Sequence, residues 1–132
     1  MTSSCNPRQL GLAGEQVAND YLIKKRYNII KRNYRFHRNE IDIIARKGKT
    51  ICFVEVKTRF STTKGHPAEA VTVQKQHEII KAAHAFLALS GEERLDYRFD
   101  VIAVLVQRME ESRIASFSIE HFTDAFWAPL PE

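Results

Sequence analysis

Between Glu40 and Arg59 the chain reads EIDIIARKGKTICFVEVKTR, two runs of strand-forming residues separated by a short polar break, and this leaves little alternative to an antiparallel hairpin. Glu40-Ile41-Asp42-Ile43-Ile44-Ala45 opens with strict period-two alternation, and Arg46-Lys47-Gly48-Lys49 is a glycine-containing break of hairpin length. Ile51-Cys52-Phe53-Val54-Glu55-Val56-Lys57 follows, and its four leading apolar residues mark a central strand covered on both faces. Charges at the end of such a strand are costly to bury, so Glu55 and Lys57 require a purpose.

Alternation puts Ile51, Phe53, Glu55 and Lys57 on one face of the second strand and Cys52, Val54 and Val56 on the other. On the first strand, Glu40 and Asp42 share a face opposite Ile41 and Ile43. Pairing about Lys47 and Gly48 brings Asp42 near Val54 or Glu55, so that two carboxylates converge beside an ammonium. Bare and ionised, the two acids repel; a Mg²⁺ ion, with Mn²⁺ as the substitute, wants one or two carboxylates, several waters and a substrate phosphate. Asp42 and Glu55 would bind it together with the main-chain carbonyl of Val56, and Lys57 would act on the nucleophile.

Asp42 followed by Glu55-Val56-Lys57 resembles the PD-(D/E)xK signature of the restriction-endonuclease-like superfamily, which includes Holliday-junction resolvases. Gly11-Leu12-Ala13-Gly14-Glu15, Ala18, Tyr21-Leu22, Asn33-Tyr34-Arg35, Glu40-Ile41-Asp42, Phe53 to Arg59, Lys75-Gln76 and Arg98-Phe99-Asp100 together look like the YraN-like bacterial family grouped with those nucleases. The resemblance implies an α/β fold with a restriction-endonuclease-like αβββαβ core, a mixed central sheet flanked by helices. It further implies Asp42, Glu55 and Lys57 at the active site and Glu15 as an additional acidic group from the first helix. The activity implied is metal-dependent DNA endonuclease, with branched or structured DNA as substrate. Two departures stand out: Asn39 replaces the usual glycine before Glu-Ile-Asp, where its tolerance of positive φ would preserve the turn, and Ile41 stands where proline gives the superfamily its name.

At 132 residues, 44% hydrophobic and 27% charged, the chain has the composition of an ordinary globular protein, read as a polar N-terminal tail over residues 1–10 and one nuclease-like domain over 11–132. No apolar run approaches a membrane span of ~18 residues, and the start of the chain lacks the apolar core of a signal peptide, so the expected location is the cytoplasm. Cys5 and Cys52 form neither a disulfide framework nor a zinc knuckle, and Cys52 reads as a small buried hydrophobe. Net charge is +4, but residues 24–81 hold 15 basic against 5 acidic residues, a balance of +10 that suits a polyanion such as DNA. Arg35, Arg38, Arg59, Lys64, Lys75 and Gln76 are the candidate nucleic-acid contacts, with Thr58 and His66 beside them in the loop after the catalytic strand.

In chain order, the spacing predicts a helix over Leu12–Arg26, a strand over Tyr27–Phe36, the hairpin, a helix over Glu69–Leu89 ended by Ser90-Gly91, a buried strand over Tyr97–Val106 and an edge strand over Ile114–Phe122. Glu15 reads equally as a residue favoured near a helix N-terminus. Asp100 would pair with Arg98 or another base, or else support the active site from behind, the structural role being preferred. Phe122, Phe126 and Trp127 form a terminal aromatic cluster that would close the core or offer a dimer contact. Two readings remain beside the nuclease: an accessory nucleic-acid-binding protein on the same scaffold that turns over poorly or only with a DNA-processing protein partner, and an interaction domain in which Asp42, Glu55, Lys57 and Arg59 form a buried ion-pair network. Cutting both strands of a duplex would favour a homodimer.

Overall fold

The computed structural model describes residues 6–61, 71–91 and 96–127. Its elements run α1 (Pro7–Lys24), β1 (Asn28–Phe36), β2 (Asn39–Lys47), β3 (Thr50–Phe60), α2 (Val73–Ser90), β4 (Asp96–Glu110) and β5 (Arg113–Phe126). Five strands form one sheet in sequence order, antiparallel except where β3 and β4 run parallel. The α2 crossover between β3 and β4 is what a parallel pair requires. This is the mixed α/β arrangement expected from the sequence, αβββ then αββ, consistent with a nuclease-like core. The final strand is an edge, as its polar alternation implies.

Two apolar clusters lie on opposite faces of the sheet. Ile44, Ile51, Phe53, Phe99 and Val101 pack against Ile79, Ile80, Ala82 and Ala83 of α2. Ile43, Ala45, Cys52, Val54, Val56, Ile102, Val104 and Val106 pack against Ala18 and Leu22 of α1. The division between Ile51/Phe53 and Cys52/Val54/Val56 is the alternation read from the sequence. Phe53, Phe99 and Phe126 stack across three strands with centroids 5.6 and 5.0 Å apart. Phe122 and Phe126 join the α2 cluster, whereas Trp127 is exposed, so the core-closing alternative holds for two of the three aromatics.

Several boundaries shift for identifiable local reasons. Helix α1 starts at Pro7 rather than Leu12, because Asn6 and Gln9 form a reciprocal capping box and Pro7 supplies a preformed first turn. Residues 7–10 therefore belong to the helix. Helix α2 starts at Val73, where Thr72 caps the Lys75 amide, and Val71 enters the core ahead of it. The hairpin turns on Gly48 and Lys49, with Lys47 opposite Thr50 and Gly48 at φ +61°. Asn39 does not take positive φ as expected; His37 does, at φ 56°, so the β1–β2 turn is made two residues earlier. No described helix is long and apolar enough to cross a membrane.

Candidate active site

Strands β2 and β3 are paired from Lys47/Thr50 up to Ile43/Val54, and there the ladder stops. One step further the register sets Asp42 opposite Glu55. Instead of a main-chain partner, the Val56 amide donates to Asp42 Oδ2 at 2.8 Å, so the side chain enters the gap that the departing strand opens. In an extended strand the N–H and C=O of one residue point the same way, so the Val56 carbonyl faces this gap too. The two-way choice left open by the sequence is thereby resolved for Glu55.

A break in alternation accompanies the opening. Ile43 and Ala45 lie in the α1 cluster, whereas Ile41 lies with Ile44 in the α2 cluster. Glu40 and Asp42 therefore do not share one face opposite Ile41 and Ile43, contrary to the simple period-two reading. On β1 the residue facing Asp42 is Asn33, which has φ 51° and is passed over in a ladder that pairs Arg32 with Ile43 and Tyr34 with Ile41. A left-handed residue inside a strand turns the local pleat, and Asn is among the few that take it cheaply.

The electrostatics at the gap are unbalanced. Glu55 is buried at 5% exposure, its Oε2 accepts no hydrogen bond among the described residues, and the Lys75 ammonium stands 4.0 Å from it. Burial, then repulsion from Glu55 and a hydrogen bond shared with it, push the Asp42 pKa up to about 8 against the opposing pull of the Val56 amide and Lys75. Asp42 thus keeps a proton at neutral pH that it would otherwise give up. A hard cation is the natural replacement for that proton.

More acids approach from neighbouring elements. Asn33 Nδ2 donates to Glu15 Oε1 at 2.8 Å and to Glu40 Oε1 at 3.0 Å, joining α1, β1 and β2. Burial raises the Glu15 pKa, Asn33 opposes that rise, and Asp42 and Glu40 add to it. Helix α1 reaches this point because Gly14 has no side chain: a Cβ there would fall 1.7 Å from Thr58 Oγ1 on β3. Sequence reasoning singled out neither Asn33 nor Gly14 for a role. An asparagine in the middle of a strand was the available signal for the first, and a glycine inside a helix, already quoted within the family motif, for the second.

The remaining sequence candidates divide. Lys57 lies on the Glu55 face by alternation and is half-buried, and its ammonium has no hydrogen-bond or ion-pair partner among the described residues. Lys75 stands beside Glu55 as its counter-charge, and Gln76 Nε2 donates to the Val71 carbonyl at 3.0 Å. Arg35 pairs with Glu40 at 3.4 Å on the surface, Arg38 is exposed, and Arg59 is half-buried on β3. Lys64 and His66 lie outside the described residues. Asp100 takes the structural part: fully buried on the α1 face, it accepts from Arg98 Nε at 2.9 Å, His121 Nε2 at 2.8 Å and the Asp124 amide at 3.0 Å.

A Mg²⁺ or Mn²⁺ ion fits what the gap offers. Among the described residues no group of three or more His, Cys, Asp or Glu is gathered to hold a metal unaided. Two carboxylates, one of them with an orphaned oxygen, and a main-chain oxygen are nonetheless the hard donor set that such ions complete with water.

Residues 14–104 match the model of the uncharacterised protein family UPF0102. A UPF0102 protein of Chlorobium phaeobacteroides is 58% identical over 125 residues, covering 95% of this chain and 98% of its own. One from Chlorobium limicola is 59% identical over 122 residues, covering 92% and 95%, and one from Chloroherpeton thalassium 47% identical over 108 residues, covering 82% and 81%. With the hairpin, the acid pair and the Gly14–Glu15 helix inside the matched region, the chain belongs to the uncharacterised family UPF0102, the YraN family that its motifs resemble.

Proposed function

We propose that the protein is a divalent-metal-dependent DNA endonuclease, hydrolysing a phosphodiester at the gap between β2 and β3, with branched or structured DNA as its preferred substrate. The observation that carries this reading is the Asp42–Glu55 pair, a half-buried carboxyl beside a buried one at a strand opening, the second with an oxygen that accepts no hydrogen bond among the described residues. Asp42, Glu55 and the Val56 carbonyl would hold Mg²⁺ or Mn²⁺, which supplies Lewis-acid polarisation of the phosphate and a more acidic bound water. Lys57, on the Glu55 face, orients the attacking water and stabilises negative charge as it grows on the phosphoryl oxygens. Lys75 balances Glu55 before substrate arrives. The basic stretch over residues 24–81 draws the DNA backbone to the site, with exposed Arg38 and surface Arg35 as its outer contacts.

The test is to incubate the protein with branched and linear DNA in Mg²⁺, Mn²⁺ or EDTA beside Asp42→Ala and Lys57→Ala. Cutting that needs the metal and falls at least about a hundredfold in both variants is the expected result. Salt-sensitive binding without cutting would transfer the protein to the accessory reading, in which a DNA-processing partner supplies activity. Neither binding nor cutting, with Asp42→Ala changing only the melting temperature, would reduce the site to an ion-pair network.

A further inference from the structure

We infer that Asn33 is a positioning residue, whose carboxamide holds the Glu15 and Glu40 carboxylates beside Asp42 so that both charges act on the cation taken by the Asp42–Glu55 pair. The inference rests on reading that pair as a divalent-cation site. It starts from a geometric coincidence: one nitrogen, Asn33 Nδ2, serves two carboxylates from different elements, at 2.8 Å to Glu15 and 3.0 Å to Glu40. A primary amide has two N–H groups and spends one on each. Without them the two acids are like charges, each partly exposed, that gain by moving apart, Glu40 toward the surface Arg35 that already pairs with it at 3.4 Å.

The backbone of the same residue makes the clasp possible. At φ 51° Asn33 departs from the strand conformation, and it does so opposite Asp42, where the ladder omits a pair and Ile41 and Ile43 fall on different faces. The residue that turns the pleat is also the one whose side chain spans the acids. Glycine would supply the turn and not the amide, while aspartate would supply the turn and the length but no N–H. This choice of residue separates the backbone role from the positioning role.

Mn²⁺ uptake by the metal-free protein, followed by loss of the free-ion signal in electron paramagnetic resonance, reads the effect without catalysis. Asn33→Gly is expected to melt close to the wild type and to bind Mn²⁺ roughly tenfold more weakly, as losses of supporting hydrogen bonds around metal ligands do. In a Glu15→Gln/Glu40→Gln background the same substitution should change Mn²⁺ affinity by less than about twofold, because its partners no longer carry charge. Should Asn33→Gly fail to fold, Asn33→Asp serves: supporting behaviour is unchanged or weaker uptake despite the added negative charge, and stronger uptake overturns the inference. Equal Mn²⁺ affinity in wild type and Asn33→Gly, or an undiminished loss in the double-Gln background, also overturns it. A wild type that cuts DNA while Asn33→Gly binds Mn²⁺ normally defeats this inference and spares the nuclease. A wild type that binds Mn²⁺ through Asn33 without cutting does the reverse, and a wild type that takes up no Mn²⁺ defeats both.

Discussion

Glu55 on β3 and Asp100 on β4 are one register step apart on adjacent strands, yet they face opposite sides of the sheet and sit in opposite electrostatic conditions. Around Asp100 the donors are plentiful: the Arg98 guanidinium, the His121 ring and the Asp124 amide all point at it, while Arg98 Nη2 also donates to Tyr27 OH at 2.7 Å and Tyr21 OH meets His121 Nδ1 at 3.0 Å. Burial alone would raise the Asp100 pKa, but the hydrogen bonds from His121, Arg98 and Asp124 outweigh it and hold the carboxylate below its usual range. Around Asp42 and Glu55 the described donors are the Val56 amide and the Lys75 ammonium, the two acids repel each other, and the Asp42 pKa moves the other way. The lesson is that burial by itself does not assign a role to an acid. A carboxylate saturated with donors is part of the scaffold, whereas one left short of them has lone pairs still open to a further partner.

The contrast breaks most visibly at Asp100. Asp100→Ala strands the Arg98 guanidinium and the Asp124 amide, and is expected to cost about 3–5 kcal/mol in urea unfolding; a loss under about 1 kcal/mol would mean that the network is not the scaffold described. Next comes Gly14→Ala, which forces a methyl onto Thr58 and should cost roughly 1–3 kcal/mol while displacing Glu15 from the acid site. Full stability and full Mn²⁺ uptake in that variant would show that the close approach of α1 is unnecessary. At Asp42 the sign reverses. The folded chain holds a proton there that the unfolded chain releases above its ordinary pKa of 3.8, so without a divalent cation this group's contribution to stability falls as pH rises from about 4 to about 8 and levels off beyond. Asp42→Asn keeps an acceptor for the Val56 amide and removes the ionisation. At pH 9 without metal it should be more stable than wild type by at least about 1.4 kcal/mol, the equivalent of one pKa unit, and should lose any stabilisation by Mg²⁺. Destabilisation at pH 9 would place Asp42 in the same class as Asp100.

Much of this was legible along the chain because strands write their faces in a period of two. Ile51 and Phe53 separated from Cys52 and Val54, Gly48 marked the turn, Asp42 and Glu55 were brought within one step of register, and Arg98 was one of the bases offered to Asp100. The start of α1 was missed: Asn6-Pro7 with Gln9 is a local capping signal, but the reading followed apolar periodicity, which is lacking before Leu10. Lys75 was a different matter. Its place in the chain suggested a phosphate contact, and only the packing of α2 over β3 showed a buried acid within its reach.

Sequence alone determined the alternation along β3, the Gly48 turn and the types of charged residue that the hairpin carries to its end, because each follows from backbone geometry over a few neighbouring residues. Tertiary structure alone decided how residues 15, 33, 40 and 75 reach the Asp42–Glu55 pair. Their separations follow no period. What joins them is a helix admitted by one missing side chain, a strand turned by one left-handed residue, and a desolvated gap in which a carboxyl's charge depends on what surrounds it in space.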